Sequence, residues 1–216
     1  MEPDTVEIRV LGCLVEKQRA TPDAYPLSLN ALRLACNQST NRDPVVEYDE
    51  ATVVEALRRL ALRGWTRLAS GAGSRARKYR HLLDDALGLE DAEVSLLAVL
   101  MLRGPQTPGE LKQRAQRLHE FPDLPAVQEA LDRLVERGWA TRHVRRPGQK
   151  EDRYEQLLGG AGAELEPDPE PSDPAEPAQR SEPAKRDPSE DRLERLEREV
   201  AELRSELAAL RSELGG

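Results

Sequence analysis

The sequence predicts an α+β fold that is mainly helical, carries small β-hairpins and ends in a coiled-coil helix. Three observations lead to this prediction. One sequence unit occurs twice within the first 160 residues, the apolar spacing in each unit changes from helical to strand periodicity, and leucines at heptad spacing occupy the C-terminus.

The internal repeat consists of three matched blocks in the same order. Residues 7–22 match residues 93–108, with fifteen steps from Glu to Pro in each. Residues 53–65 match 127–139, and residues 79–83 match 154–158. The core is therefore one unit used twice, and the first copy carries about twelve extra residues.

Each unit predicts three helices followed by two strands. Apolar residues at helical spacing mark the first and third helices, and a Thr-Pro pair precedes a second helix near residues 27–36 and 109–118. Gly64 and Gly138 are expected to end the third helices, because glycine accepts the left-handed conformation at the position after a helix. A short strand then begins at Trp65 or Trp139, and both indoles are expected to pack in the core.

The two strands of each unit are joined by a basic turn that contains glycine, at residues 70–78 and 145–153, which predicts a hairpin. Three helices followed by a hairpin is the element order of a winged-helix domain. We therefore predict two tandem winged-helix domains, at residues 1–86 and 87–160.

The insert of the first copy has an unusual composition. Residues 25–32 read YPLSLNAL and residues 35–45 read ACNQSTNRDPV. These runs, with Leu14-Val15-Glu16-Lys17 before them, resemble the YceH-like family. The resemblance covers residues 5–158 and implies a tandem winged-helix fold, in bacterial cytoplasmic proteins whose biochemical role is not established.

The signature loop of this resemblance comprises Asn37, Gln38, Asn41, Arg42 and Asp43. Its side chains readily bond to backbone, which favours a capped, tightly turned loop. The other interpretation is that Asn41 and Arg42 reach a ligand or partner, since loops on a rigid scaffold often bind. The sequence leaves both open.

Charge is distributed unevenly along the chain. Residues 1–160 carry 24 Lys and Arg against 24 Asp and Glu, whereas residues 161–216 carry 8 against 16, so the net charge of −8 lies in the tail. An acidic chain therefore does not exclude a local basic surface.

One interval of the first copy is strongly basic. No acidic residue lies between Glu55 and Asp84, where eight Lys and Arg occur, and the second copy repeats this more weakly. A third helix and wing of this charge suit a phosphate backbone. The predicted nucleic-acid contacts are Arg58, Arg59, Arg63, Arg75, Arg77, Lys78, Arg145, Arg146 and Lys150. The alternative is a solvated or protein-binding face, because acidic residues flank both third helices.

Several classes of function find no support. Cys13 and Cys36 lack ligand-like spacing and are expected to be reduced and buried, as in the cytoplasm. The three histidines are scattered, and no nucleophile, metal or cofactor motif occurs, so we expect no enzyme and no cofactor. No signal peptide or membrane span is predicted.

The tail has two predicted parts. Residues 161–190 hold seven prolines among Glu, Asp, Ala, Gly and Ser, which predicts a disordered linker. Residues 191–214 predict a coiled-coil helix, with opposite charges at e and g positions that favour parallel self-association, dimer or trimer. The alternative is a single amphipathic helix that docks on its own core or on another protein. The predicted seam is Leu193, Leu196, Val200, Leu203, Leu207, Leu210 and Leu214.

Two functional hypotheses follow. The leading one is a DNA-associated regulatory or accessory protein that binds phosphates through wing and third helix. The alternative is a structural adaptor whose winged helices bind proteins and make no nucleic-acid contact.

Overall fold

The structure is a computed structural model, and it describes residues 2–69, 77–145 and 151–159. Within these ranges the chain is α+β and mainly helical, as predicted. The helices are α1 (Thr5–Ala20), α2 (Leu29–Cys36), α3 (Glu50–Leu62), α4 (Leu83–Leu87), α5 (Asp91–Arg103), α6 (Pro108–Ala115) and α7 (Leu124–Glu136). The strands are β1 (Leu27–Ser28), β2 (Thr66–Leu68), β3 (Lys78–His81), β4 (Ala140–His143) and β5 (Arg153–Gln156).

The two copies of the sequence unit have the same element order. Helices α1, α2 and α3 precede the hairpin β2–β3, and helices α5, α6 and α7 precede the hairpin β4–β5. We call these parts repeat one and repeat two. Both hairpins are antiparallel, and a third segment pairs with each returning strand: β1 with β3 in repeat one, and Gln106 with Tyr154 in repeat two.

The predicted linker (161–190), the coiled-coil helix (191–214) and its seam from Leu193 to Leu214 lie outside the described residues, as do Arg75, Arg146 and Lys150.

Helix ends follow local chemistry in both repeats. Asp4 and Glu7 form a capping box at the start of α1, and Glu90 and Glu93 form one at the start of α5. After α3 and α7 the chain turns at glycines with φ of +75° and +73°, as the Arg-Gly pairs predicted.

The second helices are shorter than the predicted ranges. Leu27 and Ser28 form strand β1, and the Ser28 hydroxyl accepts a hydrogen bond from the Ala31 amide at 3.3 Å, so α2 begins only at Leu29. Helix α6 likewise ends at Ala115, three residues before the predicted end.

The first helices of the two repeats pack against each other. Gly12 of α1 lies so close to α5 that a Cβ atom there would be 3.0 Å from Leu102 Cγ. Every residue of α5 from Glu93 to Leu102 is buried. The described residues all belong to one compact unit, and the boundary predicted between residues 86 and 87 falls within α4. Cys13 and Cys36 are free and buried in this core, as expected.

Candidate nucleic-acid interface

Two of the predicted phosphate-binding arginines in repeat one turn towards the start of α1. Arg59 donates to the Asp4 carboxylate at 2.6 Å, and its Nε lies 3.5 Å from Glu7 Oε2. Arg63 Nε lies 3.3 Å from Glu7 Oε1. The Glu7 side chain is only 2% exposed, so these two guanidinium groups compensate a buried carboxylate.

Repeat two builds the same arrangement from the corresponding residues. Arg133 Nε lies 3.3 Å from Glu93 Oε1, and Arg137 Nη1 lies 3.4 Å from Glu93 Oε2. Glu93 is 1% exposed, and Glu90 adds a further contact to Arg133. Because both repeats pair a buried capping-box glutamate with one arginine of the third helix and one at its C-terminal cap, we interpret this pairing as part of the fold.

Arg58 has a different position. It is exposed on the outer face of α3 and pairs with Glu55 through two hydrogen bonds of 2.9 and 2.7 Å. This pairing lowers the pKa of Glu55 and raises that of Arg58. An exposed pair one helical turn apart contributes little stability, so Arg58 is able to exchange its partner.

The hairpin of repeat one has a polar outer face made of cations. Thr66 pairs with His81, Arg67 with Arg80, and Leu68 with Tyr79. Thr66 and His81 are buried, so the residues next to them in the strands point outwards. Arg67 and Arg80 therefore share the outer face, and Lys78, two residues before Arg80, shares it too.

Arg67 and Arg80 are directly opposite each other across the two strands. Like charges in this position destabilise a sheet. Across the described ranges no carboxylate forms an ion pair with either arginine, and Arg80 Nε has no hydrogen-bond partner. Arg77, exposed and one residue before β3, adds a further cation at this end of the hairpin.

The hairpin of repeat two has the same register with different charges. The pair that corresponds to Arg67 and Arg80 is Thr141 and Glu155. Glu155 bonds to His143 at 2.8 Å. Asp152 pairs with Arg142 and also accepts the backbone amide of Arg145 at 2.9 Å, while the Arg145 side chain is exposed. The described part of this hairpin is therefore largely neutralised.

The signature loop is held by its own side chains. Asn37 donates to the Tyr48 carbonyl at 2.8 Å and accepts from the Tyr48 amide at 2.9 Å. Arg42 is fully buried and bonds to both carboxylate oxygens of Glu16, at 3.0 and 2.6 Å, and to the Ala35 carbonyl at 3.0 Å. These contacts hold Asn37 and Arg42 in place through bonds to backbone and to Glu16.

The rest of the loop reaches repeat two. The Asp43 amide donates to the Leu102 carbonyl at 2.8 Å, and Arg103 donates to the Asn41 side-chain oxygen. Asn41 adopts a φ of +61°, which asparagine tolerates better than most residues. Gln38 accepts from Arg42 at 2.9 Å. Neither Glu16 nor Arg103 was predicted from the sequence to contact the loop, because neither lies near the loop in the chain.

His81 is the one histidine in a clearly perturbed setting among the described residues. Burial lowers its pKa to about 4, although Asp84 opposes this. Its Nδ1 accepts from the Leu83 amide at 3.3 Å, and its Nε2 contacts the Gln18 side-chain oxygen. Within the described ranges no three His, Cys, Asp or Glu side chains are placed to hold a metal ion. In the same ranges no helix is long and apolar enough to cross a bilayer.

Comparisons with known proteins agree on one family. A family model described as "protein of unknown function, DUF480" matches residues 4–149. A UPF0502 protein from Geotalea uraniireducens (strain Rf4) is 49% identical over 202 residues, which are 93% of this chain and 89% of that protein. A UPF0502 protein from Geobacter metallireducens (strain ATCC 53774 / DSM 7210 / GS-15) is 53% identical over 160 residues, 73% of each chain. The family match covers repeat one and continues through repeat two as far as residue 149, just before β5.

Proposed function

This chain belongs to the UPF0502 (DUF480) family, and we propose that it is a DNA-associated regulatory or accessory protein built from two tandem winged-helix domains. In this proposal the protein binds, and does not transform, its partner. The observation that supports it most is the pair Arg67 and Arg80. The two like charges lie opposite each other, and within the described residues neither arginine forms an ion pair with a carboxylate. A phosphate placed there replaces repulsion by attraction.

The proposed contact set differs from the one predicted from the sequence, because it adds Arg67 and Arg80. The hairpin of repeat one supplies Arg67, Lys78 and Arg80, with Arg77 beside them and Arg58 at the exposed face of α3. Arg59 and Arg63 serve instead to compensate Glu7. Because backbone contacts carry no direct sequence information, binding through this surface is expected to be tolerant of DNA sequence and sensitive to salt.

The test is a salt series of duplex-DNA binding, measured by fluorescence anisotropy on the full chain. The variant Arg67→Thr/Arg80→Glu gives repeat one the residues that repeat two has at these positions. We expect affinity to fall roughly ten- to a hundredfold at about 0.1 M salt, and the slope of log K against log salt to fall by about 2.

The matched control is Arg114→Gln/Arg117→Glu, which lowers the net charge equally but changes Arg114 of α6 and Arg117 just after it, in repeat two and not in the hairpin of repeat one. This control should keep most of the affinity. An equal loss of DNA affinity in both variants would show that net charge alone causes the effect. Undiminished DNA binding by the hairpin variant would show that the hairpin is not part of the interface.

Self-association would make this binding bivalent. We propose that residues 191–214 pair as a parallel coiled coil, which raises apparent affinity without new contacts. Light scattering should give two or three subunits for the full chain and one for residues 1–160. The same subunit number for both would contradict the coiled-coil proposal.

One observation favours the alternative, a structural adaptor that binds protein. Val54 and Leu62 share the outer face of α3 and are 43% and 76% exposed, so the helix expected to meet DNA also offers an apolar surface. On this alternative the wild-type chain shows no salt-dependent DNA binding at about 0.1 M salt. The salt series therefore separates the two functions.

A further inference from the structure

A cleft lies between the two repeats. The residues that line it are different from those of the hairpin surface. It is bounded by the C-terminal half of α1, the signature loop, the end of α5 and helix α6, and its volume is about 650 Å³. Ligand pockets for small organic molecules occupy roughly 300–1,000 Å³. The cleft is thus large enough for one such molecule.

The charged side chains that line the cleft are mainly cationic. Four basic side chains line it, against the single carboxylate of Glu16: Lys17, Arg103, Arg114 and Arg117. Glu16 already bonds to Arg42 at 2.6 Å and to Lys17 at 3.2 Å, and Arg42 keeps the pKa of Glu16 low despite burial. The charge of Glu16 is therefore compensated by Arg42 and Lys17. Arg103, Arg114 and Arg117 give the cleft an excess of positive charge.

The three arginines keep unused donors. Arg103 bonds to the Asn41 side chain, and Arg114 lies 3.4 Å from Glu110. Arg117 is exposed and has no ion pair within the described part of the chain. A guanidinium group carries five N–H donors, so these contacts leave most of them for a ligand.

Electrostatic crowding points in the same direction. Burial, together with the charges of Arg114 and Arg42, lowers the pKa of Arg103. Like charges that disfavour each other's ionised form mark a place where an anion is stabilised. Burial is the largest cause of this lowering and the charges of Arg114 and Arg42 add to it, so the lowered pKa accompanies the geometry of the cleft.

The floor of the cleft is apolar and its rim carries amides. Val99 and Leu102 are buried residues of α5, and Leu118 contributes beside them. Gln113 of α6 and Gln116, just after it, are exposed at the edge. Such a lining suits a molecule that has a ring or hydrocarbon part as well as a charged group.

We infer that this cleft binds a small organic phosphate of about mononucleotide size, with the phosphate held by Arg103, Arg114 and Arg117 and the ring or sugar against Leu102 and Leu118. The phosphate is preferred to a monocarboxylate because its two negative charges match an excess of several cations, and guanidinium forks bind phosphate oxygens in pairs. The inference does not depend on the proposed DNA contact.

Isothermal titration calorimetry on the full chain tests this inference. The probes are adenosine monophosphate, ribose 5-phosphate and phenyl phosphate, with inorganic phosphate and uncharged adenosine as controls. At least one organic phosphate should bind, more tightly than inorganic phosphate, and adenosine should not bind. No binding by any organic phosphate would overturn the inference, and so would equal binding of inorganic phosphate.

Two variants locate the site. Arg114→Gln/Arg117→Glu should weaken binding at least tenfold while its thermal unfolding and circular dichroism stay close to wild type. Arg67→Thr/Arg80→Glu, which changes the net charge equally, should bind the phosphate as the wild type does. If the hairpin variant loses the ligand and the α6 variant keeps it, the cleft is not the site. If Arg67→Thr/Arg80→Glu loses DNA binding and still binds the organic phosphate, the two proposals concern separate sites.

Discussion

The two hairpins of this protein have the same register and opposite electrostatic character at the same pair of positions. Arg67 faces Arg80 in repeat one, whereas Thr141 faces Glu155 in repeat two, and Glu155 has its own partner in His143. The backbone does not require two arginines there, since repeat two forms the hairpin without them. In the proposed function the arginine pair serves the contact with DNA and not the stability of the hairpin.

The third helices of the two repeats, in contrast, carry arginines in corresponding positions. Arg59 and Arg63 of repeat one have counterparts in Arg133 and Arg137 of repeat two, and both pairs reach a buried glutamate of the preceding first helix. A feature that both repeats keep, with the same partner, serves the fold. Features that only one repeat has, such as the cationic outer face and the signature loop, are where we look for function.

The largest expected effect is a pH dependence of the free energy of unfolding that comes from repeat one alone. His81 of repeat one is buried with a pKa of about 4, against an ordinary value of 6.5, and repeat two has Gln156 in the corresponding position. Because the unfolded chain takes up the proton first, the free energy of unfolding should fall as the pH falls from 6.5 to about 4, by roughly 3 kcal/mol from this group. Above pH 6.5 the contribution is constant.

The measurement is denaturant unfolding of the wild type and of His81→Gln across this pH range. Carboxylates such as Asp91 and Glu16 also lose stabilising contacts in acid, so the difference between the two proteins isolates His81. The variant should show a clearly shallower decline. Parallel pH curves would mean that His81 does not carry this dependence.

The next effect should be equal in the two repeats. Glu7→Gln and Glu93→Gln keep a side chain that can form the capping box but remove the charge that the third-helix arginines compensate. Each should lower the free energy of unfolding by about 2 kcal/mol, less than for a fully buried pair because the arginines are partly solvated.

Denaturant unfolding at neutral pH measures this effect, and Glu55→Gln, which changes an exposed pair, is the control, for which we expect little change in the free energy of unfolding. A large loss in one repeat alone would contradict the view that these pairs are a shared part of the fold.

The smallest effect concerns the hairpins themselves. Arg67→Thr/Arg80→Glu removes the repulsion between opposed cations, so it should raise the free energy of unfolding by about 0.2–1 kcal/mol in low salt without DNA. The gain should shrink at high salt, where charges are screened. Thermal unfolding at two salt concentrations measures it. If the variant is less stable than the wild type in low salt, the two arginines support the hairpin. The difference between the two hairpins would then no longer point to a function.

Local pattern was enough to predict much of the fold. The repeated blocks predicted the order of helices and strands, and the Arg-Gly pairs predicted where α3 and α7 end, because glycine's left-handed conformation is a property of the residue itself. The second helices were predicted less well. A two-residue strand such as β1 has no periodicity to detect, and only its pairing with β3 defines it.

What the sequence determined by itself is the repeated α+β architecture, the placement of charge along the chain and the membership of a family. What only the tertiary structure decided is which charges are available. Arg59 lies 55 residues from Asp4, and Arg103 lies 62 residues from Asn41, so no local pattern indicates that they meet. The opposition of Arg67 and Arg80 likewise depends on the register of the hairpin. Partners of this kind are brought together by the packing of α1 on α3 and α5, and a charge is free for a ligand only where that packing supplies no partner.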